Sequence, residues 1–525
     1  MAAYVLAIDL GTSGPKVGLV GMDGTVLRCA VASTALHLSA GGGAEQDPED
    51  WWSAIGKACA ELRAAEPAAM DGVVVVSCTA QWSGTVATDE QGKPLRRALI
   101  WMDSRGAPQI KKLTDGLIKM SGYSLGKLMR WIRVTGGAPG RSGKDPIAHI
   151  LYLKEMEPDV YAAAHQFLEP KDWLNHRLSG RFAASFDSIA LLWVTDNRDL
   201  SKVVYHEGLL RDSGIAREKL PPLVAADAVL GPVTAEAAHF LSIPSTAVVV
   251  GGTPDMQSAA LGSGPVDDYA SHIYIGTSSW IGCHVPFKKT DLLHNIASLP
   301  SAKPNRYFVA ATQECAGVCV SRFLDQVLYP DDGLAAAPRP QDAYDRFFAA
   351  AKSIAPGSER LLFLPWLYGE RAPVEDHTLR GGFLNMQLAT TRAHMSRAIL
   401  EGVAYNNRWL LGHVEKFIKH PVERLSIIGG GARSSTWCQI FADVLGRPIV
   451  RLGEPLEANV RGAALLAACA VGARRWEDPV AILPTDASFE PNLANKPIYD
   501  EMYAAFLDAH RRNRPLFAKL NGLAA

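Results

Sequence analysis

The chain has 525 residues, a formal net charge of -1 and a sequence pI of about 6.9, which leaves no basic footprint for nucleic acid or an anionic membrane. Hydrophobic residues make up 48% and charged residues 20%, the balance of a soluble globular protein large enough for two or more domains. No apolar run is bilayer-sized, the N-terminal MAAYVLAIDLGTS has no basic leader, and the eight cysteines lack the paired spacing of a zinc site, so reduced thiols and a cytoplasmic location are expected.

Short β-rich runs alternate with helical patterns, which predicts an α/β fold. YVLAIDL, KVGLVGM and TVLRCAV read as three consecutive strands joined by GTSGP and by the Asp23-Gly24 turn. SAGGGAEQDPEDW follows as a Gly-rich loop, and DWWSAIGKACAELRAA has helical spacing with Asp47 or Asp50 as its cap. VVVVSCT and RALIWMD are predicted as buried strands, the second ending in Asp103. GYSLGKLMRWIRVTGGAPGRSGKDP is basic and glycine-rich and reads as a mobile loop with a solvated charged face, most strongly over 127–144. Two or three helices are expected in AHILYLKEMEPDVYAAAHQFLEPKDWLNHRLSG.

The stretch AVVVGGTPDMQSAALGSG is a strand running into two glycines and then an acid, Asp255, with no basic residue in the segment to pair with it. Pro254 and Asp255 suit the first turn of a helix, where a carboxylate meets unpaired N–H groups. Locally, that is explanation enough. Further on, SHIYIGTSSWIGCHV repeats the strand–Gly-Thr-Ser–strand device of the N-terminus, with Gly276, Thr277 and Ser278 answering Gly11, Thr12 and Ser13. Self-similarity of this kind predicts two related domains, 1–262 and 263–525.

A hairpin needs glycine for steric reasons alone, but such a turn also brings backbone N–H groups and hydroxyls close to an anion. Two copies, the first preceded by Asp9 and followed by Lys16, read as a phosphate clamp. Neither is a Walker A loop or a dinucleotide fingerprint. A third cluster, Gly429-Gly430-Gly431, ends a strand, and Ser434 or Ser435 caps the helix that follows. Its side-chain-free surface, beside a helix N-terminus, suits a planar base and phosphate. EPLEANVRGAALLAACAVG adds a helix whose small residues permit close packing.

The ordered set DLGTS, EQDPEDWW, WMDSRG, PKDWLNHRLSG, GGTPD, IGTSS, GERAP and GGGARSSTW resembles the FGGY family of carbohydrate kinases along essentially the whole chain. GFLNMQLATTRAHMSRAILEG, with Glu401, is similar to that family's C-terminal signature, departing at Asn385 where the family usually has glycine. The resemblance implies two actin-like, ribonuclease-H-type domains flanking a cleft that holds ATP, Mg²⁺ and a small sugar or polyol. It implies Asp255 as the catalytic base and Asp9 as the Mg²⁺ residue, acting through water. Gly11, Thr12, Ser13 and Lys16 would meet phosphate from one side, and Gly276, Thr277 and Ser278 from the other, while Gly430, Gly431 and Ala432 would hold adenosine. Pro15 stands where the family more often has a hydroxyl residue.

The implied substrate residues are Gln81, Trp82, Ser83, Asp103, Arg105, Asp255 and Met256. Xylulokinase-like members have Met and His at the positions of Trp82 and Ser83, and Asn at Met102. The retained Gln81 and Asp103 favour a ketopentose, with D-xylulose first, and the Arg-Glu pair of glycerol kinases is absent. Trp82 is either a sugar-stacking platform or core. Two other readings stand beside the kinase: an actin-like ATPase without sugar chemistry, which would lack the substrate-side residues, and a catalytically weak sugar sensor on the same fold. The expected partners are a small sugar and ATP, with neither nucleic acid nor membrane, and homodimer formation is left open.

Overall fold

The computed structural model describes residues 2–120, 122–264, 266–334, 338–478 and 485–522. Strands β1 (Tyr4–Gly11), β2 (Gly14–Gly21) and β3 (Val26–Val31) form the predicted antiparallel run. Gly14 closes the first turn at φ 133°, and a Cβ there would stand 2.1 Å from the Ala32 carbonyl oxygen, so only glycine fits. Helix α1 (Pro48–Ala65) starts where Asp47 accepts a hydrogen bond from the Glu49 N–H at 3.0 Å, with Pro48 in the first turn. It buries Trp51, Trp52, Ile55, Cys59 and Leu62 against the sheet at the i, i+3, i+4, i+7 spacing of one helix face.

Strand β4 (Val73–Ala80) lies parallel to β1, and β5 (Val248–Val250) lies parallel to β4. Read across, the sheet runs β3-β2-β1-β4-β5, with the edge strand Val229–Pro232 beside β5. Three stretches depart from the sequence reading. The Gly-rich loop contains a hairpin, His37–Ser39 with Gly43–Gln46, because Gly41 and Gly42 take φ 77° and 85° and turn the chain back. RALIWMD keeps only Ala98–Leu99 as strand, since Asp103 turns back to accept from the Ala44 N–H. The basic segment is no loop either. It holds helix α2 (Leu125–Thr135), which buries Leu128, Trp131 and Val134, turns Arg130 and Arg133 outward, and stops at Gly136 with φ 97°.

Helices Pro146–Met156 and Pro158–Ala163 precede α3 (Pro170–Ser179). Helix α4 (Asp255–Gly262) opens at Asp255 as predicted. The second sheet begins with β6 (Ser271–Ile275) and β7 (Ser279–Val285), continues with β8 (Tyr307–Gln313), β9 (Leu425–Ile428) and β10 (Ile449–Leu452), and runs β8-β7-β6-β9-β10. Its inner order and strand directions repeat those of the first sheet, as the duplicated Gly-Thr-Ser device predicted. Helices α5 (Arg392–Ile418) and α6 (Ser435–Leu445) cover it, with Ser434 as the α6 cap.

Helix α7 (Ala458–Ala470) belongs to the second half by sequence but packs on the first sheet, where Val460, Ala463, Ala464 and Ala467 meet Val5, Ala7 and Val75. It crosses α4 at backbone contact, since a Cβ on Gly262 would lie 1.8 Å from the Ala458 carbonyl oxygen. Among the described residues no helix is long and apolar enough to cross a membrane. All eight cysteines are free thiols, buried except for Cys29 and Cys469.

Candidate functional site

The first sheet brings three chain segments together at the carboxyl ends of adjacent parallel strands, where open α/β sheets place their ligands. Asp9 pairs in register with Thr79, and Thr253 and Pro254 pair with Thr79 and Ala80. Asp9, Gln81 and Asp255 therefore emerge side by side. Gln81 extends the register, its N–H donating to the Leu10 carbonyl at 2.8 Å.

Asp255 keeps part of its surface open, and its Oδ1 accepts from the Met256 N–H at 2.7 Å. Among the described residues it has no basic partner. Burial, and then the charge of Asp9, push its pKa up from 3.8 to about 7, while the backbone N–H groups of Met256 and Trp82 oppose the rise. Asp9 is also raised by burial, opposed by the Lys16 charge and by Asn459, whose Nδ2 donates to Asp9 Oδ1 at 3.3 Å. Because the folded pKa of Asp255 lies above its unfolded value, the folded chain holds the extra proton between about pH 4 and 7, and stability falls as pH rises through that window. Asp255→Asn should flatten this slope. Relative to the wild type its melting temperature is expected to climb by a few degrees between pH 5 and 7.5, and parallel curves would show that Asp255 is not raised.

A hydrogen-bonded chain sets the neighbouring side chains. Gln81 Nε2 donates to Gln46 Oε1 at 2.7 Å, Gln46 Nε2 donates to the Thr12 carbonyl at 2.8 Å, and Thr12 Oγ1 donates to Gln81 Oε1 at 3.1 Å. Trp101 Nε1 donates to Thr12 Oγ1 at 2.9 Å. Gln46 and Trp101 were not picked out by sequence. Gln46 lies in the EQDPEDWW motif, but its link to Gln81 exists only because the 43–46 strand folds back over the sheet end.

The remaining sequence-predicted residues divide. Trp82 is half-buried, packs on the core around Trp131 and Trp193, and donates from Nε1 to the Ser188 carbonyl at 2.8 Å. Ser83 takes φ 71° and donates from Oγ to the Lys144 carbonyl at 2.9 Å. Asp103 is wholly buried, accepts from the Ala44 N–H, and pairs with Arg105, whose Nη2 lies 2.6 Å from Asp103 Oδ2 and 2.6 Å from Glu45 Oε1. This pair shapes the loop rather than standing free in the cleft. Met256 is half-buried beside Asp255.

On the facing side, β6 and β9 run parallel with Tyr274 opposite Ile428, so the turns after them, Gly276-Thr277-Ser278 and Gly429-Gly430-Gly431, are neighbours. The Gly276 carbonyl accepts from the Gly317 N–H, and the Thr277 carbonyl accepts from the Ala316 N–H, which leaves Thr277 exposed at the tip. Gly430 is exposed with open space where a Cβ would be, whereas Gly431 is packed against Ile275 and Ala432 is buried. In the first half Gly11 and Thr12 are half-exposed and Ser13 is exposed. Lys16 Nζ donates to the Leu456 carbonyl across the halves. Glu401 lies apart from the cleft, in the second core, where it accepts from Arg397, Ser358, Tyr499 and the Gly357 N–H. Asn385 takes φ 66°, the left-handed conformation that glycine, and next Asn, adopts most readily.

Two sheets of one order, each opening on a Gly-Thr-Ser hairpin, with carboxylates at the strand ends of the first, define an α/β protein of the actin-like ATPase fold. The N-terminal domain of the FGGY family of carbohydrate kinases matches residues 4–262, and its C-terminal domain matches residues 272–471. The chain belongs to that family and is a carbohydrate kinase. It is similar to a xylulose kinase of Staphylococcus epidermidis, 28% identical over 524 residues and covering 98% of each chain. A gluconokinase of Bacillus licheniformis is 26% identical over 474 residues, covering 90% of this chain and 88% of the relative. The crystal structure of a xylulose kinase from Rhodospirillum rubrum superposes with a TM-score of 0.82 at 26% identity, covering 98% and 99% of the two chains.

Proposed function

We propose that the cleft phosphorylates a neutral ketose, D-xylulose first, from ATP, with Asp255 as the general base. The observation that carries this reading is the isolation of Asp255. It stands at the strand ends beside Asp9 with only backbone N–H groups, and no basic side chain, on its carboxylate, so its basicity is raised rather than quenched. Phosphoryl transfer asks little covalent chemistry of the protein. It asks for an oriented hydroxyl, neutralised phosphates and a group that accepts the hydroxyl proton as the oxygen bonds to phosphorus.

The residues present fit Mg²⁺. Two neighbouring carboxylates, of which Asp9 raises the proton affinity of Asp255, are eased by a cation, and Mg²⁺ bound to ATP needs only one or two carboxylates with waters. Asp9 would hold the ion, which when bound neutralises phosphate charge. Gly11, Thr12 and Ser13 would meet the phosphates from the first half, joined by Lys16 on leaving Leu456. Thr277, with Gly276 and Ser278, would meet them from the second. Gly430 would take the adenosine, with Gly431 and Ala432 shaping the floor.

Gln81, held in one orientation by Thr12 and Gln46, would meet sugar hydroxyls, and Trp82 would line the sugar with its open face. Asp103 and Arg105 would act by fixing that loop. The Arg105 guanidinium is already shared between two carboxylates, which favours a neutral ketose over an aldonate that needs a free cation. A division of the chain near residue 262 separates the two sheets. The test is ADP release from Mg·ATP with D-xylulose, D- and L-ribulose, D-fructose, glycerol, erythritol, D-gluconate and no acceptor. D-Xylulose is expected to exceed every other acceptor at least tenfold in kcat/KM. A higher value for gluconate would replace the substrate assignment, and uniform background would favour the sensor reading.

A further inference from the structure

Beneath the cleft lies a cluster of buried charged groups that the mechanism above does not use. Lys171, Asp172 and Asp187 are at most 2% exposed, and Glu169 is 4% exposed. Lys171 Nζ donates to Asp172 Oδ1 and, at 2.7 Å, to the carbonyl of Gly251. Asn175 Nδ2 donates to the same carbonyl at 2.6 Å. Thr253 Oγ1 donates to Asp187 Oδ2, and Lys171 acts electrostatically on both aspartates. Gly251 and Thr253 are therefore held from the same buried cluster. Between them Gly252 takes φ 70°, where a Cβ would meet the Cys78 carbonyl oxygen at 2.1 Å. The backbone has one path through this turn, and Asp255 lies two residues beyond its end.

The other side of the cluster holds the substrate loop. Ser188 Oγ donates to Asp172 Oδ2 at 2.5 Å, and the Ser188 carbonyl accepts from Trp82 Nε1 at 2.8 Å. Glu169 Oε2 accepts from the Gly84 N–H at 2.9 Å. Burying an ammonium among carboxylates seldom raises stability relative to apolar packing, and such groups persist where they impose one arrangement. Here that arrangement ties the segment leading to Asp255 to the loop carrying Gln81, Trp82 and Ser83.

We infer that Lys171, with Asp172, Asp187 and Thr253, is a positioning unit that sets the distance between the base and the sugar loop. The inference rests on Asp255 being the base. Its function is to hold the acceptor hydroxyl and the carboxylate in line before phosphate arrives, where small misplacements cost large factors in rate. The unit is buried behind the base and the sugar loop, so its loss is expected to act on kcat and sugar KM and to leave ATP binding alone.

Thr253→Val keeps the side-chain shape and deletes the hydroxyl that meets Asp187. Measured with D-xylulose or D-gluconate, whichever the wild type turns over faster, kcat is expected to fall about 10- to 100-fold, with the Kd for ATP within twofold. Thr253→Ser, which returns the hydroxyl, should recover most of the loss. Lys171→Met should lower kcat at least as far, and the double variant should lose less than the product of the two, because both act through one unit. Thr253→Val and Thr253→Ser reduced equally, or Thr253→Val within twofold of wild type while Asp255→Asn is inactive, would overturn the positioning role alone. Wild-type-like turnover by Asp255→Asn would overturn the base assignment and this inference together. Rates are taken per folded molecule from the native fraction in thermal unfolding, so a variant that merely folds poorly shows a normal kcat and also counts against the inference.

Discussion

Asp255→Asn is expected to lower kcat by about 10³-fold, inside the span usual for loss of a general base, with ATP affinity within a few-fold of wild type. The substitution is nearly isosteric. Asn can still accept the Met256 N–H through its side-chain oxygen, as Asp255 does at 2.7 Å, so α4 should start at the same residue. What disappears is the proton acceptor and one of two mutually repelling charges. Relief of that repulsion, which helps push Asp255 to about 7, should make the variant as stable as wild type or more stable at neutral pH. The two explanations of an acid at a helix start thus separate cleanly. A residue kept only for its first-turn position would leave kcat untouched when replaced by Asn. Steady-state turnover with the best acceptor, calorimetric ATP binding and a melting curve make the comparison, and a kcat within tenfold of wild type would remove Asp255 from the chemistry.

Sequence was most informative where the backbone itself demands particular residues. The Gly-Thr-Ser turns and the strand into Gly251-Gly252 stand where local pattern put them, and of the two candidates open at each helix start the caps are Asp47 and Ser434, because a tight turn or an unpaired N–H admits few residue types. The repeated device pointed to two related halves, while the order of strands across each sheet was not legible. Long-range partners were not legible. Gln46 reaches Gln81 and Thr12 only through a hairpin that looked like a glycine loop. That Arg105 pairs with Asp103 and with Glu45 was likewise not legible. The basic 127–144 segment concealed α2, since four glycines and a charge run mask a face that buries Leu128 and Trp131. Lys171 offered no local signal at all. A lysine in a helix start reads as solvated, and only folding places it under Gly251.

Gly462→Val should be the most damaging substitution outside the cleft. Helices α4 and α7 cross with their backbones touching. A Cβ on Gly462 would sit 1.8 Å from the Ser258 carbonyl oxygen and 2.9 Å from the Gly262 nitrogen, and neither neighbour is a side chain that can swing away. The helices must part, which breaks the Ser258 Oγ bond to the Asn459 carbonyl at 2.7 Å and lifts Val460 and Ala463 from the first sheet. Overpacking of side chains costs about 1–3 kcal/mol, so a backbone clash should cost about 3 kcal/mol or more. Gly412→Ala is the matched control, because that position in α5 has open space around it and alanine favours helix. It should leave the melting temperature equal to wild type or slightly higher. Gly462→Ala should lie between the two in stability and still lower kcat, because α4 carries Asp255 at its first residue and Ser258 and Gly262 at the crossing. The same crossing joins the Asn459 contact on Asp9 to the helix that presents the base, so packing and catalysis meet at one glycine pair. Full activity per folded molecule in Gly462→Ala would show that the crossing serves stability alone and that the placement of Asp255 is fixed entirely from the Gly251–Thr253 side.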